Sequence, residues 1–215
     1  MRIGILGTGV VGKTLGTKLA KLGNEVKMGS RKAGGDKAKA WVKETGGKSS
    51  EGTFAEAAAH GEMVFNCTSG MASLEALNAA GAKNLEGKTL VDVANPLDFS
   101  KGMPPTFSVP NTDSLAEQIQ RAFPTAHVVK SLNTVTAPVM VEPSIIPGVH
   151  DMFVSGNDAK AKAQVINLLK TGFGWKEVID LGDIGGARAQ EMLLALWVRL
   201  YMRLQTPNVN VHVAR

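Results

Sequence analysis

The stretch Ile3-Gly4-Ile5-Leu6-Gly7-Thr8-Gly9-Val10-Val11-Gly12-Lys13-Thr14 runs from four apolar or small residues through three glycines into a segment of helical periodicity. A strand that ends in a glycine-rich turn and continues as a helix presents backbone N–H groups and a positive helix end, an arrangement that binds phosphate. Two spacing rules fit at once. As Gly-x-Gly-x-x-Gly, Gly7 makes the tight turn, Gly9 lets the backbone approach a pyrophosphate, and Gly12 lets the helix pack against the strand. As Gly-x-x-x-x-Gly-Lys-Thr, Lys13 reaches the β- and γ-phosphates and Thr14 holds magnesium. The loop by itself leaves both open.

The next strand discriminates between them. A dinucleotide fold places its adenosine ribose against the carboxyl end of that strand, about 20 residues beyond the glycines. Gly29-Ser30-Arg31-Lys32 stands there. An Asp or Glu at that point would bond the ribose 2′-hydroxyl and select NAD, whereas Ser30 and Arg31 offer a hydroxyl and a planar guanidinium to a 2′-phosphate. The pattern predicts NADP, with Lys37 on the following helix either adding a charge or simply solvated. A nucleoside triphosphatase needs an apolar strand that ends in a magnesium-holding Asp. Leu90-Val91-Asp92 is the one candidate, and an Asp inside a Rossmann strand explains it as well.

Short apolar runs alternate with amphipathic stretches through the first two thirds of the chain, as βαβ units around a mostly parallel sheet require. Strands are expected near 2–6, 25–29, 63–67, 89–93 and 126–131, and helices near 10–22, 35–45, 53–60, 71–81 and 113–122. Thr53 with Glu56, and Ser114 with Glu117, have capping-box spacing at two of the helix starts. Pro96, Pro104, Pro105 and Pro110 make 94–112 an irregular loop of the length that is often functional. Pro138, Pro143 and Pro147 mark a crossover into a smaller unit with strands near 152–155 and 175–180, a helix near 158–171 and a long helix over 186–204. That last helix is apolar on more than one face, through Leu194, Leu196, Tyr201 and Leu204 among others, which suits burial in a cleft or a homodimer interface. The expected fold class is α/β, a Rossmann doubly wound, mostly parallel sheet over 1–137 with a small C-terminal α+β domain over 138–215.

Ligands of open α/β sheets lie outside the carboxyl ends of the strands. Two further ends, Asn66-Cys67-Thr68-Ser69-Gly70 and Val93-Ala94-Asn95-Pro96, should face the same crevice. Thr68 and Ser69 either touch ribose and pyrophosphate or only cap a helix; Asn95 is a third candidate. The polar loop 131–138, with Asn133, Val135 and Ala137, is expected beside the nicotinamide. His60, His127, His150 and His212 are scattered, and Asp180, Asp183 and Arg188 bracket a glycine turn that is either an ion-paired helix start or a rim of the substrate cleft. Hydride transfer between two cofactors needs positioning rather than a proton-transferring side chain, so no catalytic residue is assigned.

Composition narrows the classes further. With 215 residues, 44% hydrophobic and 20% charged, the chain is neither disordered nor fibrous. Aromatics at 5% weigh against base-stacking surfaces for nucleic acid. Residues 1–48 hold 11 Lys and Arg against 3 Asp and Glu, although the net charge is only +5, so an anionic ligand is expected at the N-terminal third. Cys67 stands alone, which forbids an internal disulfide, fits a reducing cytoplasm and leaves no metal site of ligand spacing. The apolar run 192–204 is broken by Arg199 and Arg203 and is too short to span a bilayer. With no targeting segment visible, the expectation is a cytoplasmic protein with a small-molecule redox partner, no nucleic acid and no membrane.

The Gly-Thr-Gly-Val-Val-Gly-Lys loop and Gly-Ser-Arg strand end within 3–31 resemble the NADPH-dependent reductases of coenzyme F420, a deazaflavin, and their bacterial relatives. Val91-Asp92-Val93-Ala94-Asn95-Pro96-Leu97-Asp98, Val129-Lys130-Ser131-Leu132-Asn133-Thr134-Val135 and the 180–188 turn carry the likeness along nearly the whole chain. The resemblance implies hydride exchange between NADP(H) and a deazaflavin ring in a cleft between a Rossmann domain and a small C-terminal domain. It implies that Thr8, Gly9, Val10 and Val11 bind the pyrophosphate, that Ser30, Arg31 and Lys37 bind the 2′-phosphate, and that Ala137 lines the nicotinamide region. Expected, then, is an NADPH-dependent oxidoreductase acting on coenzyme F420, a flavin or another flat acceptor. An NADP-binding sensor without turnover and the P-loop triphosphatase are the alternatives.

Overall fold

The computed structural model describes residues 1–215. In chain order the strands are β1 (Arg2–Leu6), β2 (Glu25–Ser30), β3 (Ser49–Thr53), β4 (Met63–Asn66), β5 (Thr89–Asp92), β6 (Leu97–Asp98), β7 (Thr106–Phe107), β8 (His127–Ser131), β9 (Asp151–Gly156) and β10 (Glu177–Asp180). The helices are α1 (Val10–Lys21), α2 (Asp36–Thr45), α3 (Phe54–His60), α4 (Ser73–Ala80), α5 (Ala82–Leu85), α6 (Leu115–Ala122), α7 (Ala137–Val141), α8 (Ala159–Asn167) and α9 (Ala187–Leu204). Eight strands form one sheet in the order β10-β9-β8-β5-β4-β1-β2-β3, while β6 and β7 make a separate two-stranded hairpin. From β3 to β8 every pairing is parallel, β9 runs antiparallel to β8, and β10 is parallel to β9. The order reverses between β1 and β4, the point at which doubly wound sheets open a crevice for ligand.

Strands buried on both faces read as unbroken apolar runs, and the two covers here are distinct. One core joins Ile3 and Ile5 to Leu15 and Leu19 of α1, Trp41 of α2 and Val165 of α8. The other joins Leu6, Val64 and Leu90 to α3, α4 and α6 through Ala57, Leu77 and Ile119. Complete burial of an aliphatic side chain of this kind stabilises by about 1.5–3 kcal/mol, so the strand–helix sandwich is held mainly by these contacts.

Three elements differ from the sequence pattern. β3 is polar, Ser49-Ser50-Glu51-Gly52-Thr53, and carries no alternation; backbone pairing with β2 at the sheet edge makes it a strand. The proline-rich stretch 94–112 contains the short hairpin of β6 and β7. The division expected at 137 does not separate two sheets. β9 pairs with β8, and Met140, Val165 and Trp175 pack in the same core as Ile5 and Leu15, because two short strands gain more burial on an existing sheet than alone. α9 buries Leu194 and Val198 but leaves Leu196 and Leu204 exposed. No helix is long and apolar enough to cross a membrane.

Candidate functional site

Gly7 ends β1 at φ 123°, and a Cβ there would stand 2.6 Å from the carbonyl oxygen of Cys67. A Cβ on Gly12 would stand 2.1 Å from the carbonyl oxygen of Gly7, so α1 rests directly on the turn. Over Gly9 there is nothing within 4 Å, and this glycine is the N-cap of α1, with no side chain capping the helix and no acid in its first turn. The helix end therefore keeps its N–H groups and its partial positive charge for an anion. The loop has the open cradle that a pyrophosphate fits.

A cleft of about 760 Å³ opens from that loop. Gly7, Thr8 and Gly9 line it on one side, Thr68 and Ser69 on another, and Ser30, Arg31, Lys32 and Lys37 at the far end. The Ser30 hydroxyl donates to the Lys32 carbonyl at 2.7 Å, which turns the chain immediately after β2. Arg31, Lys32 and Lys37 take part in no ion pair, so three cations and the uncapped start of α2 face a common space. Asp36 and Glu75 are the acids on its wall. Lys32 was not among the residues singled out by sequence, although its place beside Arg31 is the signal that finds it.

Thr68 and Ser69 also border a second cleft of about 460 Å³, lined by Val10, Val11, Asn95, Val135 and Ala137, with Leu97, Phe99 and Met140 closing the apolar side. No Asp, Glu, His, Lys, Arg, Cys or Tyr lines it. Thr68 is not a helix cap: its hydroxyl donates to Asn66 Oδ1 at 2.6 Å and lies 3.0 Å from Ser73 Oγ. Asn133 lines neither cleft. It is buried behind the second, where its amide donates to Asn95 Oδ1 at 3.0 Å and to the Gln190 carbonyl at 3.1 Å, while Asn95 Nδ2 donates to the Asn133 carbonyl at 2.8 Å. This reciprocal clasp fixes the strand-end loops of β5 and β8 to each other. In the same loop Leu132 adopts φ 64°, and the buried oxygens Asn133 Oδ1, Thr134 Oγ1 and Thr136 Oγ1 have no protein partner. Of these residues Thr136 lines the second cleft, whereas Leu132, Asn133 and Thr134 line neither.

Behind both loops lies a charged cluster that sequence reading did not assemble. Lys130 is fully buried, with Nζ 2.8 Å from Asp92 and 2.9 Å from Glu191 of α9, and it also donates to the Ala94 carbonyl. Burial pushes the ammonium pKa down, but Asp92 and Glu191 outweigh it and hold Lys130 above its ordinary value. Glu191 accepts in addition from the Leu115 and Ala116 N–H groups at the start of α6. Burial pushes the Cys67 thiol pKa up, which keeps it protonated and unreactive beside the glycine loop.

The other sequence candidates fall elsewhere. Lys13 and Thr14 line neither cleft; they border a groove on the outer side of α1 with Thr17, Lys18, Lys21 and Trp41. Asp92 is engaged by Lys130 and Asn66, so the residues of the triphosphatase pattern do not come together. Asp180 and Asp183 hold the turn before α9, by accepting from Lys162 and from the Gly185 N–H, and Arg188 pairs with Glu117.

The glycine-loop sheet, the cationic cleft at the end of β2 and the adjoining apolar cleft are features of an NADP-dependent oxidoreductase family. Residues 2–96 match the model of the family described as NADP oxidoreductase, coenzyme F420-dependent. A protein from Arthrobacter sp. FB24, provisionally named an F420-dependent NADP-reductase, has a solved structure with TM-score 0.94 and 52% identity over 100% of both chains. The chain belongs to this family of F420-dependent NADP oxidoreductases. An imine reductase from Streptomyces aurantiacus shares the fold at TM-score 0.67 and 20% identity, over 95% of this chain and 64% of that one. Metalloreductase STEAP3 of Rattus norvegicus is 28% identical over 89% of this chain, which spans only 36% of the metalloreductase.

Proposed function

We propose that this protein transfers a hydride between NADP(H) and a flat redox acceptor, coenzyme F420 or a flavin, held in the second cleft. The observation that carries this reading is the junction of the two clefts at Thr68 and Ser69, with a cationic end on one and an apolar, untitratable wall on the other. In this assignment Gly7 to Gly12 receive the pyrophosphate, Ser30, Arg31 and Lys37 the 2′-phosphate, and Val135 and Ala137 the nicotinamide. Asn133 acts through Asn95 rather than by contact. When bound, NADPH would supply a hydride and its electron pair from the nicotinamide to the acceptor ring. The apolar side chains of the second cleft set the approach of the two rings, and with no titratable group on its wall the accompanying proton reaches the acceptor from solvent. The single buried Cys67 fits a reducing cytoplasm.

A thermal-shift titration with NADPH, NADH and Mg-ATP side by side tests the cofactor, since a ligand that binds only the folded state stabilises it by RT ln(1 + [L]/Kd). NADPH alone is expected to raise Tm; a shift with Mg-ATP alone would overturn the reading. Arg31→Ala should weaken NADPH by about 1.5–3 kcal/mol, the scale of a hydrogen bond to a charged group, and leave NADH nearly unchanged. Oxidation of bound NADPH by F420 or FMN, followed at 340 nm, then separates an oxidoreductase from a binding protein without turnover.

A further inference from the structure

The loop that carries Arg31 is secured from outside by a residue with no place in the glycine motif. Glu51 of β3 turns both carboxylate oxygens to the backbone N–H of Gly34, at 2.9 and 3.1 Å. Its position follows from the edge pairing of β3 with β2, in which Glu51 stands opposite Met28 and Thr53 opposite Ser30. Glu51 forms no ion pair, so this carboxylate serves the backbone alone and leaves the nearby cations free.

The segment needs such an anchor. Gly34 has φ 78° and is followed by Gly35, the N-cap of α2, so the two most permissive residues of the turn are adjacent. Holding each residue of the turn in a single backbone well costs conformational entropy, which an unpinned loop would have to recover from the ligand at each binding event. Ser30 pins the near end through the Lys32 carbonyl, and Glu51 pins the far end with a charge-assisted acceptor. Between these points lie Arg31 and Lys32, both on the wall of the first cleft.

We propose that Glu51 is a positioning residue for cofactor selection: by fixing Gly34 it pre-forms the Arg31–Gly35 turn that receives the 2′-phosphate, and so sets the preference for NADPH over NADH. The inference rests on the NADP reading above, and goes beyond it in assigning selectivity to a residue that does not touch the cofactor. A merely structural carboxylate would shift the two dinucleotides together; a positioning one shifts the dinucleotide that carries the phosphate.

The test measures Kd for NADPH and NADH by fluorescence titration of the full chain. The variants are Glu51→Ala, Glu51→Asp, Glu51→Gln, Arg31→Ala and the Arg31→Ala, Glu51→Ala double variant. Expected is a rise in NADPH Kd of about tenfold or more for Glu51→Ala and for the shorter Glu51→Asp, with NADH changed less than about twofold. Glu51→Gln, whose amide oxygen still accepts from Gly34, should recover most of the affinity. In the Arg31→Ala background Glu51→Ala should add little, since both act on one contact. An unchanged NADPH-to-NADH ratio in Glu51→Ala and Glu51→Asp, or strictly additive effects with Arg31→Ala, would overturn the proposal. Failure of the unsubstituted chain to bind NADPH would instead overturn the cofactor assignment.

Discussion

Lys130 puts the largest electrostatic stake of the molecule on one side chain. Its ammonium is fully buried between Asp92 and Glu191, so removing it leaves two carboxylates without a counter-charge. Lys130→Met should therefore cost about 3–5 kcal/mol in a denaturant melt, well beyond an ordinary core substitution, because a buried pair broken from one side leaves an uncompensated charge. Near-neutral behaviour in that melt would mean that the acids simply take up protons. Little of this was legible in sequence. Asp92 read as a strand residue and Lys130 as part of a resemblance, and their distance in the chain hides a contact made only when β5 and β8 pair. By contrast, the tight turn at Gly7 and the seating of Gly12 on it were legible, since both are fixed by local geometry within a few residues, whereas the close approach of Gly7 to Cys67 was not.

Helix starts show how far local pattern reaches. At Thr53 the full capping box forms, with the Thr53 hydroxyl accepting from the Glu56 N–H and Glu56 accepting from the Thr53 N–H. At Ser114 only half of it forms. The hydroxyl accepts from the Glu117 N–H, but the Glu117 carboxylate is engaged by Arg188 of α9, whose hydrogen bond holds its pKa below the ordinary value against the opposing effect of burial. Just before α6, Asp113 is held at about 2, chiefly by its hydrogen bond to Arg121. A carboxylate whose folded pKa is depressed adds stability above its unfolded pKa and loses it as pH falls through the folded value. Asp113 should thus contribute fully above pH 3.8, the ordinary carboxyl value, and fade towards pH 2. Asp113→Asn should lower Tm slightly at neutral pH, as expected for a partly exposed pair, and flatten the acid limb of a Tm-against-pH curve between those values. An acid limb of unchanged slope would show that the pair contributes nothing measurable.

For the whole molecule, α9 joins the parts and also leaves a surface open. Its first turns, through Gln190 and Glu191, bind the loops behind the second cleft, while Leu196, Tyr201, Met202 and Leu204 remain exposed near its end. These side chains are spread around the helix rather than gathered on one face, and a homodimer that covers them is the expectation to be tested. Light scattering after size exclusion should give a dimer mass at tens of micromolar, reduced by Leu196→Glu; a clean monomer would remove the argument. The amino-acid sequence alone determined the alternation of strand and helix, the glycine turn and the placing of Ser30 and Arg31 at the carboxyl end of β2, because each is a matter of periodicity or of neighbours within one βαβ unit. Tertiary structure decided that β9 and β10 extend the first sheet, that polar β3 is a strand bearing Glu51, that Asn133 braces Asn95 rather than lining a cleft, and that Lys13 faces away from the crevice. Those four depend on pairing partners and facing elements far apart in the chain, whose energies enter only once the sheet has closed around them.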